Sequence, residues 1–187
     1  MVIFRVLVEI RWHGRGGQGA VTAAELVAYA SIIKGYYALA FPEFGAERRG
    51  APVTAYNRLS DKVIYDRSPV LSPDIVVILD PTMVGRDVIH GLKKHGLVVA
   101  NTAKKPRELA EILGPDYRVA TVDATKIAME VFRLPIVNTA MVSALVAASG
   151  IIDLDSLLQA VSARFSARLA SLNEQVIRKA YELTEVM

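Results

Sequence analysis

Phe4, Val6, Val8 and Ile10 fall on one side of the chain, and Arg5, Leu7, Glu9 and Arg11 fall on the other. This period of two predicts a β-strand over Phe4–Ile10, followed at once by a glycine-rich turn. From Ala20 to Ile33 small and apolar residues recur at helical spacing without proline, and Gly35 stands where such a helix would stop. Tyr36–Phe41 reads as a second strand ended by Pro42, and Glu43–Pro52 as a loop. Val53–Leu59 and Val63–Tyr65 flank Ser60-Asp61-Lys62 and predict a hairpin that extends the sheet.

Ile75–Leu79 is an unbroken aliphatic run ended by Asp80-Pro81. Such a run suits a strand covered on both faces, as in a parallel sheet. Leu97–Ala100 and Tyr117–Val122 are similar, and each follows a stretch of helical character, which continues a βα alternation. After Asp123 the strand signals stop, and Asn138–Ser149, Leu154–Phe165 and Arg168–Val186 carry helical periodicity. Leu154, Leu157, Leu158, Val161 and Phe165 form one apolar stripe. The expected fold is α/β: a Rossmann-like, mostly parallel sheet with a β-hairpin extension and a helical C-terminal third. No repeat, low-complexity tract or linker divides the 187 residues, so residues 1–187 are expected to form a single domain.

Composition narrows the function classes. With 52% hydrophobic and 22% charged residues the chain can bury a sizeable core, and with 7% aromatics that core must be mostly aliphatic. A formal net charge of +3 does not mark a nucleic-acid binder. Arg5, Glu9 and Arg11 interrupt the apolar run that a secretory signal needs, and Ala140–Ile152 is too short to span a bilayer. A soluble, cytoplasmic protein is expected. Zero cysteines exclude disulfides, a thiolate nucleophile and all-cysteine ligation of an iron–sulfur cluster within this chain.

The candidate chemistry centres on Gly14-Arg15-Gly16-Gly17-Gln18-Gly19, a G-x-G-x-x-G spacing between a predicted strand and a predicted helix. Glycines there permit positive φ and close approach of a ligand, while the helix offers unpaired N–H groups to a phosphate; a tight packing turn is the plainer alternative. Gly16 and Gly17 are the positions where a side chain is expected to obstruct. An NAD site would need an acidic residue at the end of the second strand; Glu43 is the nearest, later than the usual spacing and after a proline. No Lys-Ser or Lys-Thr closes a Walker A loop. Asp80, Asn101 and Asp123 follow apolar runs and should lie at the carboxyl edge of the sheet, where helix capping is the expected role of each. Arg48 and Arg49, set among glycine and alanine, are suited to clamp phosphates or an acidic partner surface. His13, His90 and His95 show no metal-ligand spacing, no serine sits in a nucleophile elbow, and Trp12 reads as a packed strand end.

Arg11–Val21, with Trp12-His13-Gly14-Arg15-Gly16-Gly17-Gln18-Gly19 at its centre, and the block Phe41-Pro42-Glu43-Phe44-Gly45-Ala46-Glu47-Arg48-Arg49-Gly50-Ala51-Pro52-Val53 together resemble the gamma subunits of pyruvate:ferredoxin oxidoreductase and its 2-oxoacid relatives. The resemblance covers nearly the whole chain. It implies a multisubunit enzyme that converts a 2-oxoacid, coenzyme A and oxidised ferredoxin to acyl-CoA, CO2 and reduced ferredoxin. It further implies that thiamine diphosphate, Mg2+ and iron–sulfur clusters are held by other subunits, and that the partners are alpha, beta and delta type subunits, with ferredoxin reached through the complex. No nucleic acid and no membrane is implied. Gly14, Arg15, Gly16, Gly17, Gln18, Gly19, Arg48 and Arg49 are then candidates for binding coenzyme A phosphates or for an interface, with no catalytic or metal residue in this chain. The Glu47–Pro52 block resembles the pyruvate and 2-oxoisovalerate branch, favouring pyruvate with 2-oxoisovalerate as the alternative; an NAD-binding dehydrogenase is the other reading.

Overall fold

In the computed structural model, which describes residues 7–43 and 50–187, the strands are β1 (Val8–Arg15), β2 (Tyr37–Glu43), β3 (Pro52–Ser60), β4 (Ile75–Ile78), β5 (Leu97–Asn101), β6 (Arg118–Val122) and β7 (Glu185–Val186). They form one sheet in the order β2-β3-β1-β4-β5-β6-β7. The central strands β1, β4, β5 and β6 run parallel, β2 and β3 add an antiparallel hairpin at one edge, and β7 pairs antiparallel with β6 at the other. The helices are α1 (Ala20–Ile33), α2 (Pro106–Leu113), α3 (Ala124–Phe132), α4 (Asn138–Ser149), α5 (Leu154–Arg164) and α6 (Ala167–Leu183). This is the expected α/β class, with its hairpin extension and helical C-terminal third. Among the described residues, no helix is long and apolar enough to cross a membrane.

The alternation of side chains in the parallel strands separates two apolar layers. Ile75, Val77 and Leu79 face α1, α4 and their neighbours, whereas Val76 and Ile78 face α2 and the segment carrying Val88, Ile89 and Leu92. Every residue of β4 and β5 is buried, so their continuous apolar runs follow from two-sided cover. Ten of the twelve residues of α4 are buried, which is why its sequence has no polar face.

Several sequence expectations are corrected. Val63–Tyr65 is no strand, and Tyr65 is 88% exposed; β3 instead pairs with both β1 and β2. The first strand runs on through Gly14 and Arg15, while Phe4–Val6 lie outside the described residues. β2 continues through Pro42, which an end-of-sheet strand tolerates because one of its sides needs no ladder hydrogen bonds. The connection between β4 and β5 contains a 3-10 turn, Pro81–Met83, and no α-helix. α6 stops at Leu183, and the chain turns back as β7.

Two buried polar side chains tie the hairpin half together. Trp12 Nε1 donates to Asn57 Oδ1 at 2.8 Å, and Asn57 Nδ2 donates to Ala24 O at 2.9 Å and Leu39 O at 3.1 Å, joining β1, β3, α1 and β2. On the other face Arg58 donates to Glu9 Oε1 at 2.9 Å, to Asp66 O at 3.0 Å and to Ser68 O at 2.8 Å. The loop after β3 is thereby fastened to the sheet, although most of its side chains remain exposed.

Candidate functional site

The glycine motif begins inside β1, where Gly14 and Arg15 still pair with Val53 and Pro52. The turn proper spans 16–19. Gly17 at φ 101° and Gly19 at φ 83° occupy the left-handed region, and Gly16 does not; its part is to donate its N–H to Ala51 O at 2.9 Å. Of the two glycines expected to resist a side chain, Gly17 has the left-handed conformation and Gly16 does not, while Gly19, outside that expectation, shares it.

Gln18 is the keystone of the turn. Its Oε1 accepts from Arg15 N at 2.8 Å, and its Nε2 donates to Asp80 Oδ2 at 2.9 Å, joining the end of β1 to the end of β4. Arg15 lies 3.1 Å from the Asp80 carboxylate and donates to Thr82 Oγ1 at 3.2 Å and Gly50 O at 3.3 Å. Burial opposes ionisation of Asp80, but hydrogen bonds from Thr82 and Gln18, with the Arg15 charge, outweigh it and hold the carboxyl below its usual range. Gly19 stands at the N-cap of α1, and among the described residues no side chain caps that helix. Its first-turn N–H groups therefore face the turn with the partial positive charge of a helix start.

Asp80 and Asp123 cap the turn and the helix that follow them, as expected, whereas Asn101 does not cap the helix after its strand, since α2 has Lys105 at its N-cap. Asp80 Oδ1 accepts from Thr82 N at 2.8 Å, and Asp123 Oδ1 accepts from Lys126 N at 2.9 Å at the start of α3. Asn101 donates to Leu79 O at 2.7 Å and to Thr125 Oγ1 at 2.8 Å, stitching β4 to the β6–α3 junction. Trp12 is fully buried, a packed strand residue. Arg48 and Arg49 lie outside the described residues. Gly50, next in sequence, donates its N–H to Gly16 O at 3.4 Å, so the chain returns from that block onto the glycine turn.

Sheet order speaks against a dinucleotide site. In a nucleotide-binding βαβ unit the first two parallel strands are neighbours, which places the ribose-binding carboxylate beside the glycine turn. Here β3 lies between β1 and β2, so Glu43, at the end of β2, is two strand spacings, roughly 10 Å, away and accepts the Tyr56 hydroxyl. Among the described residues no group of three or more His, Asp or Glu side chains converges as metal ligands would.

Two features escaped sequence reasoning. A cavity of about 320 Å³ opens beyond β5 and β6, lined by Lys104, Lys105, Asp123, Lys126, Lys179 and Glu185, and it includes no glycine-turn residue. Its lysines come from three separate stretches, so only the Lys104-Lys105 pair was visible in the sequence. The second is His13, whose Nε2 accepts from Arg11 Nε at 2.9 Å. Burial first and the Arg11 charge second push its imidazole down to about 4. Because the folded value lies below that of the unfolded chain, near 6.5, His13 should contribute stability that is complete above about pH 6.5 and lost as pH falls toward 4. Titration of the His13 ring protons by NMR should give a midpoint near 4; a midpoint at the ordinary histidine value would contradict the half-buried, neutral ring.

Comparison with known proteins gives a consistent picture. Residues 9–183 match the family model described as pyruvate ferredoxin/flavodoxin oxidoreductase. The chain is 47% identical over 182 residues to the pyruvate/ketoisovalerate oxidoreductases common subunit gamma of Pyrococcus furiosus, covering 96% of this chain and 98% of the relative. It is 45% identical over 180 residues to pyruvate synthase subunit PorC of Methanothermobacter thermautotrophicus, covering 96% and 97%. The crystal structure of the pyruvate oxidoreductase subunit PORC from Thermotoga maritima superposes with a TM-score of 0.87 at 36% identity, covering 97% of this chain and 99% of that one.

Proposed function

Because the chain belongs to the pyruvate ferredoxin/flavodoxin oxidoreductase family, as a gamma subunit of a 2-oxoacid:ferredoxin oxidoreductase, we propose that it is a non-catalytic partner of alpha, beta and delta type subunits that receives the phosphates of coenzyme A at its glycine turn. The overall reaction breaks the bond between the carboxyl and carbonyl carbons of the 2-oxoacid, releases CO2, passes the freed electrons to ferredoxin and joins the acyl group to the coenzyme A sulfur. The donor set of this chain does not fit the iron–sulfur clusters of that reaction. It has no cysteine for a cluster, and among the described residues no three or more His, Asp or Glu side chains are grouped as metal ligands. In this reading, as the family resemblance implies, thiamine diphosphate, Mg2+ and the iron–sulfur clusters belong to the partner subunits and the complex to the cytoplasm, with residues 1–187 acting as one domain.

The observation that carries the reading is the uncapped N-terminus of α1 behind left-handed Gly17 and Gly19, with Arg15 alongside. Unpaired N–H groups at a helix start bind phosphate without a dedicated side chain. Arg48 and Arg49 precede the segment that returns onto this turn and supply the second half of the proposed anion site. The 2-oxoacid needs no contact here. The gamma subunit of the Pyrococcus furiosus relative is described as common to pyruvate and ketoisovalerate oxidoreductases, which supports placing the choice between pyruvate and 2-oxoisovalerate in other subunits.

In the assembled enzyme, Arg48→Ala or Arg49→Ala is expected to raise KM for coenzyme A about tenfold or more while leaving KM for pyruvate unchanged, since truncating a desolvated charge pair costs roughly 2–5 kcal/mol. Weakened assembly with normal kinetics in the residual complex would assign the arginines to an interface instead, and normal behaviour in both respects would leave them as solvated surface. The purified chain alone should be colourless and inactive; turnover of pyruvate and coenzyme A by it would overturn the division of labour.

A further inference from the structure

Two helix starts meet at the glycine turn, and among the described residues no side chain caps either of them. Asn138, the first residue of α4, lies against Gly19, the N-cap residue of α1: a Cβ on Gly19 would stand 2.7 Å from Asn138 Nδ2 and 3.1 Å from Asn138 Cβ. The N-cap residue of α4 is Val137, whose side chain has no polar atom, and neither helix has an acidic residue in its first turn. A helix start carries about half an elementary positive charge. Side by side, two of them favour an anion between them. The carboxylate tied into the turn, Asp80, has both oxygens engaged already, by Gln18, Thr82 and Arg15.

The junction is rich in donors. Among the described residues, the N–H groups of Ala20, Val21 and Thr22 in α1 and of Asn138 and Ala140 in α4 have no acceptor. Asn138 is 8% exposed. Its Oδ1 accepts from Thr139 N at 2.8 Å, so the opposite end of the amide, Nδ2, is the end that faces Gly19, and it too has no acceptor among the described residues. The next side chain, Thr139, is fully buried, and its hydroxyl has no partner there either. Buried polar groups are nearly always paired. Donors gathered over two helix starts select a ligand that brings several oxygens of its own.

We propose that the start of α4, with Asn138 Nδ2 as a ligand-binding donor, shares with the start of α1 the floor of the anion site, and that the group held there is a diphosphate, one phosphate to each helix start. A single carboxylate accepts from only a few of these donors. Two linked phosphates supply oxygens to both sets and place a negative charge at each helix start. Val21 and Thr22 are half-buried and Gly17 is exposed, so the junction is reached from solvent past the glycine turn. The proposal rests on the coenzyme A reading above and deepens it: of the phosphates of coenzyme A, the diphosphate sits at the α1–α4 junction, and Asn138 joins the residues that bind it.

Asn138→Asp separates binding from folding. An acidic residue in the first turn of α4 complements the helix start, so the full chain should melt at the wild-type temperature or above it, whereas a carboxylate over Gly19 repels phosphate. In the assembled enzyme, Asn138→Asp should raise KM for coenzyme A at least tenfold and leave KM for pyruvate unchanged. In the isotope-labelled full chain, inorganic pyrophosphate should shift the NMR signals of the Ala20–Thr22 and Asn138–Ala140 amides and of the Asn138 side-chain amide with one dissociation constant, at least tenfold lower than that of inorganic phosphate. Should Asn138→Asp melt early, this titration of the wild-type chain decides. Shifts confined to the glycine turn and α1, equal affinity for phosphate and pyrophosphate, or an unchanged KM for coenzyme A in a normally folded Asn138→Asp would overturn the proposal and leave the glycine-turn reading standing. No shift at either helix start would overturn it as well, and if Gly17→Ala also left KM for coenzyme A unchanged, the coenzyme A reading would fall with it.

Discussion

Replacing Arg58 with methionine is expected to lower the unfolding free energy by about 3 kcal/mol, read from the midpoint of urea denaturation. Arg58 is 3% exposed, and its guanidinium bonds Glu9, two loop carbonyls and, at 3.2 Å, the Asp66 carboxylate, while lying 5.6 Å over the Phe41 ring. Removing one member of a buried pair commonly costs about 3–5 kcal/mol, because the partners keep their desolvation cost without their hydrogen bonds. The low end applies because Asp66 is largely exposed and Glu9 retains Lys93 at 3.8 Å. Glu9→Gln should cost clearly less, since Arg58 keeps three of its acceptors. Equal losses for the two variants would mean that the loop carbonyls contribute nothing.

This arrangement explains one failure of sequence reading. Val63–Tyr65 has the composition of a strand and follows a polar turn, so local pattern alone predicts a hairpin. The decisive interaction is long in sequence: Arg58 holds the carbonyls of Asp66 and Ser68, leaving the segment no ladder partner. β3 finds its partners in β1 and β2 instead. Periodicity reports which residues are apolar; it does not report which strand will lie beside which.

Where a run of small and apolar residues is closed by a glycine or a polar residue, sequence and structure agree closely. α1 and α4 begin and end at the residues their small and apolar runs suggest, Ala20–Ile33 and Asn138–Ser149, because Gly35 and Gly150 follow and no proline interrupts them. The same logic located β4, β5 and β6 to within a residue at each end. The β4–β5 connection was less legible. Val88, Ile89 and Leu92 are spaced like a helical stripe, and they do pack on the sheet, but they do so as turns around the 3-10 segment. α3 and β7 passed unnoticed, the one short and the other only two residues long.

At the candidate site the motif was visible, but its construction was not. That Gln18 closes the turn by bonding both Arg15 N and Asp80 depends on β4 lying beside β1. The loss of the dinucleotide reading likewise depends on strand order, since Glu43 does stand at the end of β2 and only the insertion of β3 separates it from the glycines. His13 is held neutral by burial and by Arg11, two residues before it on the same face of β1, a pairing that spacing alone allows but does not announce.

The glycine turn itself should separate two costs. Gly17→Ala is expected to destabilise by about 1–2 kcal/mol, the strain of a side chain in the left-handed region, since among the described residues nothing lies within 4 Å of where its Cβ would stand. Gly19→Ala should cost about 2–4 kcal/mol, because the same strain is joined by collision: the new Cβ would lie 2.7 Å from Asn138 Nδ2 and 3.1 Å from its Cγ. Asn138 Oδ1 accepts from Thr139 N at the start of α4, so pushing that side chain aside also loosens a second helix start. Asn138→Ala in the Gly19→Ala background should therefore recover part of the loss, whereas it should do nothing for Gly17→Ala; recovery in both or in neither would contradict the steric account. The open space at Gly17 has a functional corollary. A glycine that no side chain crowds, next to an uncapped helix start, leaves its surroundings free for a ligand to approach the backbone. Gly17→Ala, the milder lesion for folding, is therefore expected to be the more selective one in the assembled enzyme, raising KM for coenzyme A with little change in KM for pyruvate. An unchanged KM for coenzyme A would reduce the turn to a packing device between β1 and α1.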